Sequence, residues 1–312
     1  MNESLYQHVY SNLQYQQDDV LDKFVEALKD EYKQSLWAVI FYGSCMRTHE
    51  YKDAMLDFYV IVDEYKYAYD SRWYSLANKI LPPNVFYLQV TSNDQIYRSK
   101  YAVISKSGLS SAVDKSFHPY FWARFTQPLA FIYAATDEVK KWIVEIQCTA
   151  AITFANSVKP TLEGDITSES LWVQGLQLTY SAELRTETKQ RAAMIYASQR
   201  DFYDGVTDSF FSNQLADVST KKVKCLVLIK WKLRAIFGKI LSVLRLMKAT
   251  TTFVNGVDYI AWKIERHSGE KVIVNKQLRK HPLIYCWPLL FKLYKRGKFA
   301  STLRVNSINL LV

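Results

Sequence analysis

The chain has 312 residues, of which 49% are hydrophobic and 22% charged, with nine Gly and seven Pro. This composition supports a substantial hydrophobic core and excludes both wholesale disorder and Gly/Pro-rich low complexity. The net charge of +10 is uneven: residues 221–312 carry 20 Lys and Arg against 3 acids, a net of +17, whereas residues 1–220 carry 20 against 27, a net of −7. Such asymmetry predicts a polyanionic partner for the last third, either nucleic acid or an anionic membrane surface, unless it is simply a solvated basic face.

The cysteines lie far apart in the sequence, which excludes a zinc-type or redox pair. We expect reduced thiols in a cytoplasmic protein. The first 17 residues are polar and lack the pattern of a secretory signal, and no window of about 18 residues is apolar and uncharged throughout. The sequence therefore predicts neither a signal peptide nor a membrane span.

Hydrophobic periodicity divides the chain into two kinds of element. Residues 18–33 have apolar residues at helical spacing and predict a helix. Short runs of β-forming residues then predict five strands, at 36–42, 55–62, 84–90, 101–105 and 128–133. After about residue 137 the pattern predicts helices, over 137–158, 168–196 and 221–248. The predicted fold class is α+β, with a mixed sheet and flanking helices followed by a mainly helical C-terminal region. We divide the chain into domains at 1–136, 137–220 and 221–312.

The sharpest local feature is a Gly43-Ser44 turn after the first strand, followed by Asp57 in the second strand. A Gly there lets the backbone approach a ligand closely, with N–H groups available to a phosphate. Asp57 places a carboxylate inside an apolar strand, which is costly unless it meets a cation or a donor. This pattern is typical of the nucleotidyltransferase superfamily, in which the turn supports a triphosphate and Mg²⁺ bridges it to strand carboxylates. The alternative is a strand-turn-strand whose buried Asp caps a loop.

One departure from that pattern concerns the second acid, which many members carry two residues after the first. Here that position is Tyr59. Asp63 faces the same side of a regular strand but lies roughly 20 Å further along it. The candidates for a second ligand are therefore Asp53, Asp63 after a bend, or an acid in the helical half.

Four segments in order carry a resemblance to a known family. They read AVIFYGSCMRTHEYKDAMLDFYVIVD at 38–63, KYAVIS at 100–105, FWARFTQP at 121–128 and LTYSAELR at 178–185. Over about residues 36–190 the chain resembles the mitochondrial-type phosphatidate cytidylyltransferases, also called the translocator assembly and maintenance family. It departs from them at Ala102, at Thr126-Gln127-Pro128 and at Ala182-Glu183-Leu184. Because no Arg-rich, acid-poor transit segment is present, the resemblance points to a bacterial relative.

The resemblance implies an enzyme that joins CTP and phosphatidic acid to give CDP-diacylglycerol and pyrophosphate. It implies that Gly43 and Ser44 cradle the triphosphate and that Asp57 holds Mg²⁺. Glu183 would supply the missing acid, either on the metal or orienting a base. Lys100 would neutralise phosphates, unless it is an exposed lysine at a strand end.

The remaining candidates come from the helical half and the segment before it. By the same resemblance, Arg185 neutralises phosphates, Tyr180 and Ser181 contact the nucleotide, and Arg124 binds a lipid phosphate or the triphosphate. Tyr180 has the alternative of being plain core. Since Glu183 and Arg185 are two residues apart, they share no helix face, and a common site requires the helix to end near them.

The basic last third has two interpretations. Residues 221–248 place nine cations among Val, Leu, Ile, Trp and Phe, a composition that suits either an interfacial helix or a core helix covered by Lys stems. In the leading interpretation the protein is peripheral on the inner face of the membrane, where phosphatidic acid lies, and no nucleic-acid partner is expected. The alternatives are a nucleotidyltransferase acting on RNA or protein, and a catalytically degenerate nucleotide-binding sensor.

Overall fold

The computed structural model describes residues 2–13, 16, 18–163, 166–183, 189–211 and 221–252. Its strands are β1 (Leu36–Tyr42), β2 (Met55–Val62), β3 (Asn84–Ser92), β4 (Gln95–Ser105) and β5 (Ala130–Ala134). The helices of the first half are α1 (Glu3–Asn12), α2 (Asp19–Tyr32), α3 (Ser44–Thr48), α4 (Tyr65–Ala68), α5 (Arg72–Ile80), α6 (Lys106–Asp114) and α7 (Trp122–Phe125). Those of the second half are α8 (Asp137–Val158), α9 (Ser168–Ser181), α10 (Lys189–Ser198), α11 (Arg200–Phe211) and α12 (Lys221–Thr252).

The five strands form one mixed sheet in the order β3-β4-β2-β1-β5. β2 and β4 run parallel, and every other neighbouring pair is antiparallel. All five predicted strands are present, although β4 begins at Gln95, six residues earlier than predicted. The mixed sheet followed by a mainly helical region confirms the predicted fold class.

The two faces of the sheet bury two different hydrophobic clusters. Phe58 and Val60 of β2 face the first cluster, which α2 covers. Tyr59 and Ile61 face the second cluster, which extends through α1 and the helical half as far as Trp231. Because alternate side chains of a strand share a face, Asp57 lies on the same side as Tyr59, towards the helical half. The domain boundaries that we drew from the sequence remain a prediction.

The prediction of one continuous helix over 168–196 is wrong. α9 ends at Ser181, and α10 starts at Lys189. At the end of α9 the N–H of Ala182 bonds to Thr179 O (3.1 Å) and that of Glu183 to Tyr180 O (3.0 Å). These i→i−3 bonds tighten the last turn and end the helix. Glu183 therefore follows the helix rather than continuing it.

α12 buries a mixed face and leaves much of its apolar surface exposed. Its buried positions include Trp231, Arg234, Ser242 and Ala249. Its exposed apolar side chains are Leu226, Leu228, Ile229, Leu233, Ile236, Phe237, Ile240, Val243, Leu244 and Met247. No helix of the described part of the chain is long and apolar enough to cross a bilayer.

Candidate functional site

The Gly-Ser turn lies directly against Asp57. β1 and β2 are antiparallel neighbours that pair Tyr42 with Asp57, so the turn after β1 starts beside the carboxylate. Gly43 has φ +88°, and a Cβ built there would lie 2.9 Å from Asp57 Oδ2. The positive φ favours glycine, and an added Cβ would displace the Asp57 carboxylate. The Gly43 turn and Asp57 of β2 therefore lie together in one compact site.

Lys100 reaches the same carboxylate from the other side. β4 runs parallel to β2 and pairs Lys100 with Asp57. Lys100 Nζ lies 3.3 Å from Asp57 Oδ1, and the two side chains are 17% and 19% exposed. The interpretation of Lys100 as an exposed strand-end lysine is therefore wrong, because the residue lies within β4 and is largely buried. Within the described residues, Asp57 Oδ1 is buried and accepts no hydrogen bond, so the contact with Lys100 is one of charge.

An aromatic residue occupies the position of the second acid. Tyr59 is fully buried, and its ring stacks on Tyr42 with centroids 4.6 Å apart. Burial raises the pKa of Tyr59, which keeps the phenol neutral. Tyr59 thus adds an aromatic wall to the site and no charge.

The other strand acid considered from the sequence lies far from Asp57. The pairing of β2 with β4 is unbroken from Met55 to Val62, so Asp63 lies beyond the opposite end of β2. A bend that would bring Asp63 back to Asp57 is not present in this strand.

Arg124 and Glu183 form a second charged pair behind the tyrosines. Arg124 Nη2 donates to Glu183 Oε1 at 2.9 Å, with the side chains 15% and 16% exposed. The Arg124 guanidinium also lies 4.2 Å from the centroid of the Tyr120 ring. The positive charge of Arg124 lowers the pKa of Tyr59, against the larger rise that burial causes. Burial raises the pKa of Tyr42, Asp57 raises it further and Arg124 lowers it, so the partly buried Tyr42 lies near both charged pairs.

The other predicted site residues are arranged differently. Ser44 is exposed at the start of α3. Ser181 Oγ donates to Leu178 O at 2.6 Å, and Ser181 lines a groove between α9 and α12. Tyr180 is partly buried against the helical core. Arg185 lies outside the described residues.

Two groups near the site were not predicted from the sequence. Arg245 of α12 stacks on the ring of Tyr120, with its guanidinium 4.2 Å from the centroid. His118 is buried, and burial together with the charge of Arg245 lowers its pKa to about 3. The only sequence signal for Arg245 was its place in a basic apolar helix, and that does not show which face packs inward.

Asp57 is the residue of this site that would hold a divalent cation. No group of three or more His, Cys, Asp or Glu is assembled for a metal anywhere in the described segments. Mg²⁺ commonly uses only one or two carboxylates and takes the rest of its ligands from substrate phosphates and water. Asp57 would supply that single carboxylate, and its buried Oδ1 already has Lys100 Nζ at 3.3 Å. Glu183 is able to join only if its ion pair with Arg124 opens.

Comparisons with known proteins show a similarity among solved structures. No known protein family and no curated protein matches the sequence. Among solved structures, the nucleotidyltransferase-like protein from Exiguobacterium sibiricum 255-15 is 10% identical, with 89% of this chain and 91% of that chain covered and a TM-score of 0.27. A likeness with this TM-score carries no argument about activity, so the proposal below depends on this chain's own residues.

Proposed function

We propose that the chain is a nucleotidyltransferase that transfers CMP from CTP to phosphatidic acid and releases pyrophosphate. The observation that carries the proposal is the contact between the Gly43 turn and Asp57, with Lys100 on the far side of the carboxylate. This arrangement brings together three groups. They are the backbone of the Gly43 turn, which a ligand is able to approach, the Asp57 carboxylate, which would bind a metal, and the Lys100 cation. These are the groups that a nucleoside triphosphate requires.

The reaction needs positioning and charge neutralisation rather than protein acid-base chemistry. The Gly43-Ser44 turn holds the triphosphate close to β2, because no Cβ separates the turn from Asp57. Lys100 orients the Asp57 carboxylate and offsets negative charge on the phosphates. Mg²⁺ bound by Asp57 would neutralise charge that develops on the α-phosphate and the departing pyrophosphate. Arg124 would bind the attacking phosphate of the lipid, with Glu183 fixing the orientation of its guanidinium.

The choice of a lipid acceptor is supported by α12 together with the sequence resemblance. The outward face of α12 is apolar and carries the exposed cations Lys230, Lys232 and Lys239. Near an anionic bilayer each such cation contributes about 1 kcal/mol of attraction, and the apolar side chains add burial in the interface. We therefore propose that the protein docks peripherally on an anionic membrane surface through this face.

A radiochemical assay tests the activity. The full chain is incubated with α-labelled CTP, Mg²⁺ and phosphatidic acid in mixed micelles, and labelled CDP-diacylglycerol is separated. Asp57→Ala should abolish product, whereas Asp63→Ala, at the other end of the same strand, should retain it. Product formation by wild type that does not exceed the Asp57→Ala level would reject the proposal. Labelled RNA or protein instead of lipid would assign a different acceptor to the same site.

Vesicle flotation tests the membrane proposal separately. The protein should float with vesicles that contain phosphatidic acid but not with neutral vesicles, and less so at high salt. Replacing Lys230, Lys232 and Lys239 with Glu should abolish flotation while leaving CTP binding intact. Flotation that is insensitive to this triple change would contradict docking by α12.

A second candidate is a catalytically degenerate nucleotide-binding sensor. It is favoured by Tyr59 in place of a second acid and by Lys100 Nζ at the oxygen that a metal would use. In that case Lys100 takes over the electrostatic role of the metal. Saturable CTP binding without turnover on lipid, RNA or protein would support the sensor.

A further inference from the structure

A groove opens between the C-terminal end of α6, α8 and α12, and we call it the α6–α12 groove. Its volume is about 530 Å³, within the range of pockets that hold small organic ligands. Hydroxyl and amide groups line it, from Ser116, Thr153, Asn156 and Ser157. The groove is therefore large enough for a phosphate together with the group that the phosphate esterifies, and it offers polar partners to both.

The α6–α12 groove carries more positive than negative charge. Its lining includes the cations Lys115, Lys230 and Arg234 and the acid Asp114. The two lysines and Asp114 are exposed, whereas Arg234 is only 5% exposed. Within the described segments, none of the three cations takes part in an ion pair. Such a groove favours an anionic ligand, which is able to accept charge-assisted hydrogen bonds.

Neutral groups hold Arg234 in place. Its Nε donates to Phe117 O at 2.9 Å, and its Nη2 lies 3.5 Å from Ser157 Oγ. The guanidinium also lies 4.7 Å from the centroid of the Trp231 ring. Burial lowers the pKa of Arg234, but a guanidinium keeps its proton in folded proteins. Arg234 therefore brings a fixed positive charge to the groove, in the planar form that matches phosphate oxygens.

Exposed aromatic rings lie beside these cations. Phe117 lines the groove and is 39% exposed, and its ring meets that of Phe237 edge to face with centroids 6.3 Å apart. Phe237 is 45% exposed and belongs to the outward apolar surface of α12. Aromatic rings beside cations are typical of surfaces at the level of lipid headgroups. A ligand that joins an anionic group to an apolar chain would contact both the cations and the rings, whereas inorganic phosphate would contact the cations alone.

We propose that the α6–α12 groove binds the phosphate of one anionic glycerophospholipid, with the acyl chains directed along the exposed rings. Arg234 and Lys230 would hold the phosphate from α12, and Lys115 would hold it from the end of α6. This inference rests on the proposed docking of α12 on a membrane, to which it adds a defined lipid site. It does not depend on nucleotidyl transfer, because the groove residues are separate from the site at Asp57.

Vesicle flotation of two charge-matched variants separates a defined site from diffuse attraction. One full-length variant carries Lys115→Ala and Lys230→Ala, and the other carries Lys232→Ala and Lys239→Ala. All four lysines are exposed, and each variant loses two positive charges. Diffuse attraction to vesicles that contain phosphatidylglycerol predicts equal losses of binding. We expect the first variant to bind about tenfold more weakly than the second. Equal binding by the two variants would overturn the proposal.

Calorimetric titration with dihexanoyl phosphatidylglycerol below its micelle concentration tests the groove without a membrane. The phosphate of this lipid is a diester and is no acceptor in the proposed reaction, so the result is independent of transferase activity. We expect saturable binding that Lys115→Ala with Lys230→Ala weakens about tenfold. Dihexanoyl phosphatidylcholine should not bind, because its headgroup has no net charge.

Three results of this titration decide the proposal. No binding of dihexanoyl phosphatidylglycerol to wild type would overturn it. Equal affinity for glycerol 3-phosphate, which has no acyl chain, would overturn the lipid assignment in favour of a free phosphate. Binding of the soluble lipid by a protein that does not float with vesicles would support the groove and reject membrane docking by α12.

Discussion

Replacing Gly43 with Ala is the most informative single perturbation of the candidate site. The residue has φ +88° and ψ −161°, a region that is essentially restricted to glycine and costs about 1–3 kcal/mol for a residue with a Cβ. The added methyl would also lie 2.9 Å from Asp57 Oδ2. The carboxylate must then move away from Lys100, which weakens their ion pair. We expect Gly43→Ala to lower the free energy of unfolding by about 2–3 kcal/mol, most of it from the backbone.

Equilibrium urea unfolding followed by circular dichroism measures this change. Ser44→Ala is the matched control, because Ser44 is exposed and next in sequence, and its effect should stay within about 0.5 kcal/mol. In an Asp57→Ala background the cost of Gly43→Ala should fall to the backbone part alone, because the carboxylate is gone. An unfolding free energy for Gly43→Ala equal to that of Ser44→Ala would refute the reasoning, as would an identical cost in both backgrounds.

Three further predictions concern buried charge. Lys100→Met removes the cation from a largely buried carboxylate and should lower the free energy of unfolding in urea by about 1–3 kcal/mol. Adding Asp57→Asn should restore part of that free energy. Fully additive effects of the two changes would contradict the contact. Arg124→Met and Glu183→Gln should each destabilise, and the double variant should be less destabilised than the sum of the two by about 0.5–3 kcal/mol. His118 is held neutral, since burial and the charge of Arg245 lower its pKa to about 3. Because the unfolded chain binds a proton there below pH 6.5 and the folded chain does not, wild type should lose roughly 2 kcal/mol more than His118→Gln between pH 6.5 and 5, and equal losses would contradict this.

The strands and the turn were predictable because their signals are local. The apolar run before Gly43 and the lone Asp57 in the next run can both be recognised without knowing which strands pair. The contact between Asp57 and Lys100 was not derivable in this way. It depends on β4 lying parallel to β2 in a particular register, and that register is a property of the whole sheet.

The helical half was less predictable for two physical reasons. α9 ends at Ser181 without a Gly or Pro to mark the stop, so periodicity alone extended the helix across Glu183. In α12 the usual rule that the apolar face packs inward holds only in part, because Arg234 and Ser242 face the core while residues such as Leu233 and Ile240 are exposed. The sequence shows the two faces of such a helix but not which one the protein covers.

The Mg²⁺ dependence of CTP affinity tests the central claim most directly. Calorimetric titration with a non-reactive CTP analogue, with and without Mg²⁺, is compared between wild type and Asp57→Asn, an isosteric change that removes the charge. We predict that Mg²⁺ tightens binding to wild type at least tenfold, about 1.4 kcal/mol, and leaves binding to Asp57→Asn unchanged. The same Mg²⁺ dependence in both proteins would contradict a triphosphate site built on Asp57 and the Gly43 turn.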